Sequence, residues 1–283
     1  MSKREAVLDK VREVQAMPPA IAKALSLAAD PGADLDELAR LIEMDPSLTA
    51  QLLRVANSGY YAGLRAYSSV REAINRLGSI KVKQILAASG LASRAGREIK
   101  GYDMPAGALL EHSVAAALAA ERLGTATTGE TPVYTFTATL LGDIGKLVLG
   151  SFLEVDGQAI LELSQEEGIP FQLAEEQVLG VSHPEVGAVL LKDWGLPREI
   201  VQIVHWRLSP DDAPFRDKAL DLAHCGDCLT KMAGIGLGLD GICYQPAPGA
   251  VERLGLTVED SEMALAELMD DLDELRDALL PTG

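Results

Sequence analysis

Aromatic residues are scarce in this chain of 283 residues, with Phe, Trp and Tyr together making up 4%. A core so poor in rings has to be filled with aliphatic side chains; alanine and leucine are abundant, and alternating strand patterns are few. Basic residues are in deficit too. With 25 Lys and Arg against 42 Asp and Glu, the formal net charge is −17. That excludes nucleic acid as an electrostatic partner, since such binding needs clustered cations to displace counterions from phosphates. No apolar run reaches the roughly 18–20 residues of a membrane span, so no membrane partner is expected. The first ten residues are charged and lack the apolar stretch of a secretory signal. Three cysteines, Cys225, Cys228 and Cys243, are too few and too local for a disulfide framework. These absences point to a soluble, cytoplasmic protein, long enough for one large domain or two smaller ones.

What the chain does have is a succession of helix signals. Asp34-Leu35-Asp36-Glu37 reads as a capping box with Leu38, Leu41 and Ile42 behind it on one face. Asp45-Pro46 offers an N-cap and a proline at the first helical position, and the stripe Leu48, Leu52, Val55 runs out at Asn57-Ser58-Gly59. Ser69-Val70-Arg71-Glu72 is a second capping box, opening a helix that Gly78 is expected to close; Lys81 to Leu91 continues helically. After a polar stretch from Ser93 to Gly107, the alanine-rich run Leu109–Leu123 is apolar nearly all round and should be buried. Further helical patterns cover Thr135–Leu141, Asp143–Phe152, Gln158–Glu167, Phe171–Leu179, a segment capped by Ser182 and ending at Trp194-Gly195, Pro197–Arg207 and Arg216–Ala233. A Gly/Pro-rich connector follows. The spacing predicts an all-α fold.

About half of the negative charge lies at one end. From Thr257 onward there are nine acidic residues and one basic one, Arg276. The same segment carries Leu265, Leu268, Leu272, Leu275 and Leu279 at alternating three and four spacing, a narrow apolar seam opposite an acidic face. Such a seam docks back on its own body or makes a homodimer or partner contact; the first is favoured.

Two groups of residues together resemble the HDOD family, bacterial signalling modules related to the HD and HD-GYP phosphohydrolases. One is Asp45-Pro46-Ser47-Leu48-Thr49-Ala50-Gln51-Leu52-Leu53-Arg54-Val55-Ala56-Asn57-Ser58-Gly59-Tyr60-Tyr61, followed by Ser68 to Gly78. The other is Leu140-Leu141-Gly142-Asp143-Ile144-Gly145-Lys146-Leu147, followed by Val181-Ser182-His183-Pro184-Glu185-Val186-Gly187-Ala188 and Trp194-Gly195-Leu196-Pro197. Met17-Pro18-Pro19 resembles the family's opening. The resemblance implies a two-lobed helical HDOD domain over residues 13–236, with an N-terminal lobe at 13–98, an HD-like lobe at 105–236, and a connector and acidic helix over 237–283.

It also implies a degenerate metal cleft. His112 matches the first histidine of the HD-GYP pattern, Asp143 the aspartate of the HD pair, His183 the next histidine and Asp227 the final aspartate. Gly142 stands where the HD histidine belongs, and the family's His-His pair falls on Arg207 and Leu208. His205 lies three residues before Leu208 and His224 three before Asp227, so helical spacing turns each toward the same side. The ligand-cleft candidates are therefore His112, Asp143, Lys146, His183, His205, His224 and Asp227, with Asp143 ion-paired to Lys146. A competent two-metal centre is not expected, since hydrolysis by metal-activated water needs several donors and an open coordination position. No cofactor is expected; a single metal ion on His112, Asp143, His183 and Asp227 is the exception to test. The leading reading is a non-enzymatic module acting through signalling proteins or a ligand in the cleft. The alternative is a metal-dependent phosphohydrolase acting on cyclic dinucleotides or nucleotide phosphates. A third reading, a redox or metal sensor built on Cys225-Gly226-Asp227-Cys228 with His224, is weakened by the helical setting of the pair, which reads better as two buried thiols.

Overall fold

The computed structural model describes residues 2–13, 21, 35–61, 66–128, 131–241 and 244–279. Asp34, Met17-Pro18-Pro19 and Cys243 lie outside them. The described residues form thirteen α-helices, one 3-10 turn and no strand beyond an isolated bridge between Ile99 and Met104. The chain is all-α, as its periodicity predicts.

Among the described residues, four helices precede residue 96. Helix α1 (Lys3–Glu13) lies apart from the next three in the chain: α2 (Leu35–Glu43), α3 (Pro46–Ala56) and α4 (Val70–Ala95). The cap on α3 forms as read, with the Leu48 amide donating to Asp45 Oδ1 at 3.1 Å. Its end is fixed by Asn57, whose side chain accepts from the Tyr67 amide at 2.7 Å and donates to the Tyr67 carbonyl at 3.1 Å. On α4, Ser69 accepts from the Glu72 amide at 3.2 Å, and Glu72 accepts from the Ser68 amide at 3.0 Å. Gly78 does not end this helix. At φ +79° it supplies a left-handed step that only glycine takes without strain, so two helical segments meet at a bend and the element continues to Ala95. Leu38, Ile42, Leu52, Val55, Ile74, Val82, Ile85 and Leu86 are buried on facing sides, and the packing between α2, α3 and α4 is apolar.

The second group centres on α5 (Ala108–Thr128), buried around most of its circumference as its alanine-rich sequence demands. After it come α6 (Thr135–Leu140), α7 (Lys146–Glu167), α8 (Phe171–Leu179), α9 (His183–Asp193), α10 (Arg198–Trp206), α11 (Lys218–Met232), α12 (Pro248–Leu254) and α13 (Val258–Leu279), of which α6, α11 and α13 pack directly on it. The expected break between residues 152 and 158 is absent: α7 is continuous. Its start is Lys146 rather than Asp143, because Leu141 to Gly145 form tight turns. Helix α13 runs along α5 of the same chain. Ala264, Leu268 and Leu272 are buried there, while Arg122 binds Asp271 and reaches Glu267 at 2.9 Å. The side chains of Leu275 and Leu279 lie outside the described residues. Helix α1 packs on α7 and α9, held by Lys3 to Asp156 at 2.8 Å and by Arg4 to Glu185.

Candidate functional site

Helices α5, α6, α7, α9 and α11 converge on one buried cluster of charges. His112 comes from α5, Asp143 from the turns after α6, Lys146 from the first residue of α7, His183 from the first residue of α9 and Asp227 from α11. All five are at most 3% exposed. The turns after α6 matter most, because they aim Asp143 and Lys146, three residues apart, into the same space.

His112 holds the cluster together from one side. Its Nε2 lies 3.0 Å from Asp227 Oδ1 and 3.6 Å from Asp143 Oδ2, and its Nδ1 donates to the Ile235 carbonyl at 3.0 Å. That assignment follows from the carbonyl being an acceptor only. His183 Nδ1 donates to Glu175 at 2.8 Å, and the His183 amide donates to the same carboxylate at 2.8 Å. Glu175 therefore takes over the capping that Ser182 was expected to provide; Ser182 makes no side-chain cap bond. Tyr102 donates its hydroxyl to Glu175 at 2.6 Å, which completes that carboxylate's acceptor role. His183 Nε2 lies 3.5 Å from Asp143 Oδ1, buried and without a hydrogen-bond partner.

Three cations balance these acids. Lys146 donates to Asp143 Oδ2 at 2.8 Å and to Asp240 Oδ2 at 2.7 Å. Lys231, one turn beyond Asp227 on α11, donates to Asp227 Oδ2 at 2.8 Å, and its ammonium sits 3.6 Å above the Tyr244 ring. The Arg207 guanidinium, 1% exposed, bridges the two central carboxylates: one Nη donates to Asp143 Oδ1 and the other lies 3.0 Å from Asp227 Oδ1. Burial would push the Asp227 carboxyl up, but Lys231 and Arg207 hold it well below the usual carboxylate range. Asp240 is likewise buried and likewise held low by Lys146, with Lys231 and His183 behind it.

Gly142 explains how Arg207 gets in. A Cβ at position 142 would lie 2.5 Å from Arg207 Nε and 2.9 Å from its Cδ, closer than non-bonded atoms approach. The bare backbone of Gly142 is what lets the arginine stem pass. The same tight fit leaves Arg207 Nε buried with no acceptor, an omission that costs about 1–3 kcal/mol.

The seven candidates do not all belong here. His112, Asp143, Lys146, His183 and Asp227 meet in the cluster. His205 does not: it is exposed at the end of α10 and packs edge-on against Trp206, because the helix presents Ile200, Ile203 and Val204 inward instead. His224 is buried but stands behind Arg207 rather than among the carboxylates. Its Nδ1 donates to the Arg207 carbonyl at 2.7 Å and its Nε2 accepts from the Ala247 amide at 2.8 Å, so it pins the connector to the residue preceding Leu208. Five partners escaped the sequence reading. Lys231 had a visible signal, four residues after Asp227 on a helix. Glu175, Asp240 and Tyr102 had none, since they reach the cluster from separate segments. Arg207 was read only as a missing imidazole.

Donor chemistry for a metal is nonetheless present. One atom each from His112, Asp143 and Asp227 lie within 4.8 Å of one another, a mixed nitrogen and oxygen set suited to a borderline divalent ion. As arranged it does not fit one, because Arg207 is bonded to both carboxylates and Lys146 and Lys231 take further lone pairs. Cys225 and Cys228 are buried on α11 and burial pushes both thiols up to about 12, away from the thiolate that metal binding and redox exchange require.

Comparison with known proteins agrees with this architecture. A family model, the HDOD domain, matches residues 14–210. The crystal structure of an HDOD domain protein of unknown function from Geobacter sulfurreducens superposes with a TM-score of 0.70 at 25% identity, covering 97% of each chain. A Marinobacter aquaeolei chain provisionally described as a signal transduction protein superposes with a TM-score of 0.71 at 22% identity, over 99% of this chain and 61% of that one. An uncharacterized protein of Treponema pallidum is 23% identical over 215 residues, 76% of this chain; the match spans about two fifths (41%) of that curated relative.

Proposed function

The chain belongs to the HDOD family, and we propose that within it this protein is a non-catalytic regulatory module that works through contact with signalling proteins. One observation carries the reading: every carboxylate of the cluster is already matched by a fixed cation or a hydrogen-bond donor of the chain itself. Metal-dependent hydrolysis needs ligands with lone pairs to spare and a coordination position for water. Here Asp143 faces Lys146 and Arg207, and Asp227 faces His112, Arg207 and Lys231. The cluster then serves to lock α5, α7, α9, α11 and the connector in one arrangement, a rigid body that a partner can recognise. Side chains of the chain fill the cleft, which favours protein contact over a ligand bound inside it.

The alternative, a phosphohydrolase, draws on the His112, Asp143 and Asp227 trio and requires Arg207 to withdraw. The two are separated by assaying the purified chain against cyclic dinucleotides and bis(p-nitrophenyl) phosphate with added Mn2+. The expected result is no turnover above the protein-free background. Mn2+-dependent turnover that disappears in Asp143→Ala would sink the non-catalytic reading.

A further inference from the structure

We infer that the guanidinium of Arg207 stands in for a divalent cation and keeps shut a latent metal site made of His112, Asp143 and Asp227, with His183 beside it; the inference rests on the non-catalytic reading and deepens it. The geometry is that of a cation site with a protein cation in it. Asp143 and Asp227 converge on Arg207 from two different elements, and among the described residues its guanidinium is the one fixed positive charge that touches both. The His112 imidazole points its Nε2 at both, at 3.0 Å and 3.6 Å. On the far side, His183 Nε2 is fully buried, 3.5 Å from Asp143, and bonded to nothing. A buried imidazole nitrogen without a partner beside a carboxylate is a ligand atom with no ion to bind.

Arg207 also fits poorly as an arginine. Its Nε–H has no acceptor, so it does not use the full fork by which guanidinium groups earn their place in buried ion pairs. What the site takes from it is charge in a fixed place. Position 142 must stay without a side chain to admit it, so the bare backbone at 142 and the cation at 207 go together. Removing the guanidinium leaves two buried carboxylates and two imidazole nitrogens facing a space with one positive charge too few. A divalent ion of the Mn2+ or Zn2+ class meets that need.

The test uses the full chain and Mn2+, which prefers oxygen and imidazole ligands to the chain's thiols. Bound Mn2+ is counted by electron paramagnetic resonance and elemental analysis after desalting, and the melting midpoint is recorded with and without the ion. Wild type should retain none and show no shift. Arg207→Ala should melt lower than wild type, retain a single Mn2+ ion per chain and regain part of the lost midpoint when Mn2+ is added. Arg207→Lys, which keeps a charge, should stay empty, and Asp143→Ala added to Arg207→Ala should abolish uptake. If Arg207→Ala is unfolded without metal, refolding in Mn2+ supports the inference and failure to refold in it overturns it. Retention of Mn2+ by wild type, or a folded Arg207→Ala that takes up none, also overturns it. Hydrolysis by wild type, by contrast, would sink the non-catalytic reading itself, so the two failures are distinguishable.

Discussion

The helices before residue 96 and those after it solve the same problem with different materials. In the first group, α2, α3 and α4 meet through Leu38, Ile42, Leu52, Val55, Ile74 and Ile85, and charge stays at the rim, as with Arg71 against Asp36 and Glu43. In the second group the apolar shell is equally buried, but its centre holds Asp143, Lys146, Arg207, Asp227, Lys231 and Asp240. Apolar packing is tolerant, non-directional and additive in area. A buried charge network is the reverse: well-packed apolar residues would often be as stable, yet removing one member leaves others uncompensated. The contrast teaches that the centre of the second group is tuned for a fixed arrangement of segments rather than for net stability.

The largest effect expected is at that centre. Asp143→Ala strips a partner from Lys146 and Arg207 together and should cost about 3–5 kcal/mol in urea unfolding. Leu52→Ala, fully buried among the N-terminal helices, should cost about 2–5 kcal/mol through lost burial and the cavity left behind. The comparison sharpens if Asp143→Asn, which keeps the shape and removes the charge, costs nearly as much as Asp143→Ala, and it breaks if Asp143→Asn is close to neutral.

A smaller effect is expected from His224. Burial pushes its pKa down, only partly offset by the Arg207 carbonyl that its Nδ1–H binds; Asp227 raises it and Lys231 and Arg207 lower it further. Above about pH 6.5 the imidazole is neutral in both folded and unfolded chains, and the full stability is present. As the pH falls below that, the unfolded chain takes up a proton that the folded one resists, and stability should drop by up to about 1.4 kcal/mol per pH unit until the folded pKa is passed. His224→Asn should flatten this slope between pH 7 and 5; an unchanged slope would assign it elsewhere. Smallest of all, Arg71→Ala removes an exposed ion pair and should change stability by less than about 1 kcal/mol, and by less still in high salt.

The N-terminal helices were legible because their logic is local. Caps at Asp45 and Ser69 and a 3.6-residue apolar repeat specify them from short stretches of chain. The errors there came from glycine, since Gly78 bends a helix that its residue type suggested it would end. The cluster was legible in part. His112, Asp143, His183 and Asp227 were marked by their match to the HD-GYP pattern and Lys146 by its place three residues after Asp143, and they do meet. Helical spacing misplaced His205, because a one-turn relation fixes a face only when the helix turns that face to the site, and α10 gives its inner face to Ile200, Ile203 and Val204. The contact of Gly142 with Arg207, 65 residues apart in number, has no sequence signature at all; it is a fact of close packing.

That contact also ties the two positions together under substitution. With the arginine at 207 in its present place, any side chain at 142 meets atoms already in its path. A larger residue at 142 therefore calls for a shorter or displaced one at 207, and a variant that changes 142 alone should be harder to accommodate than one that changes both.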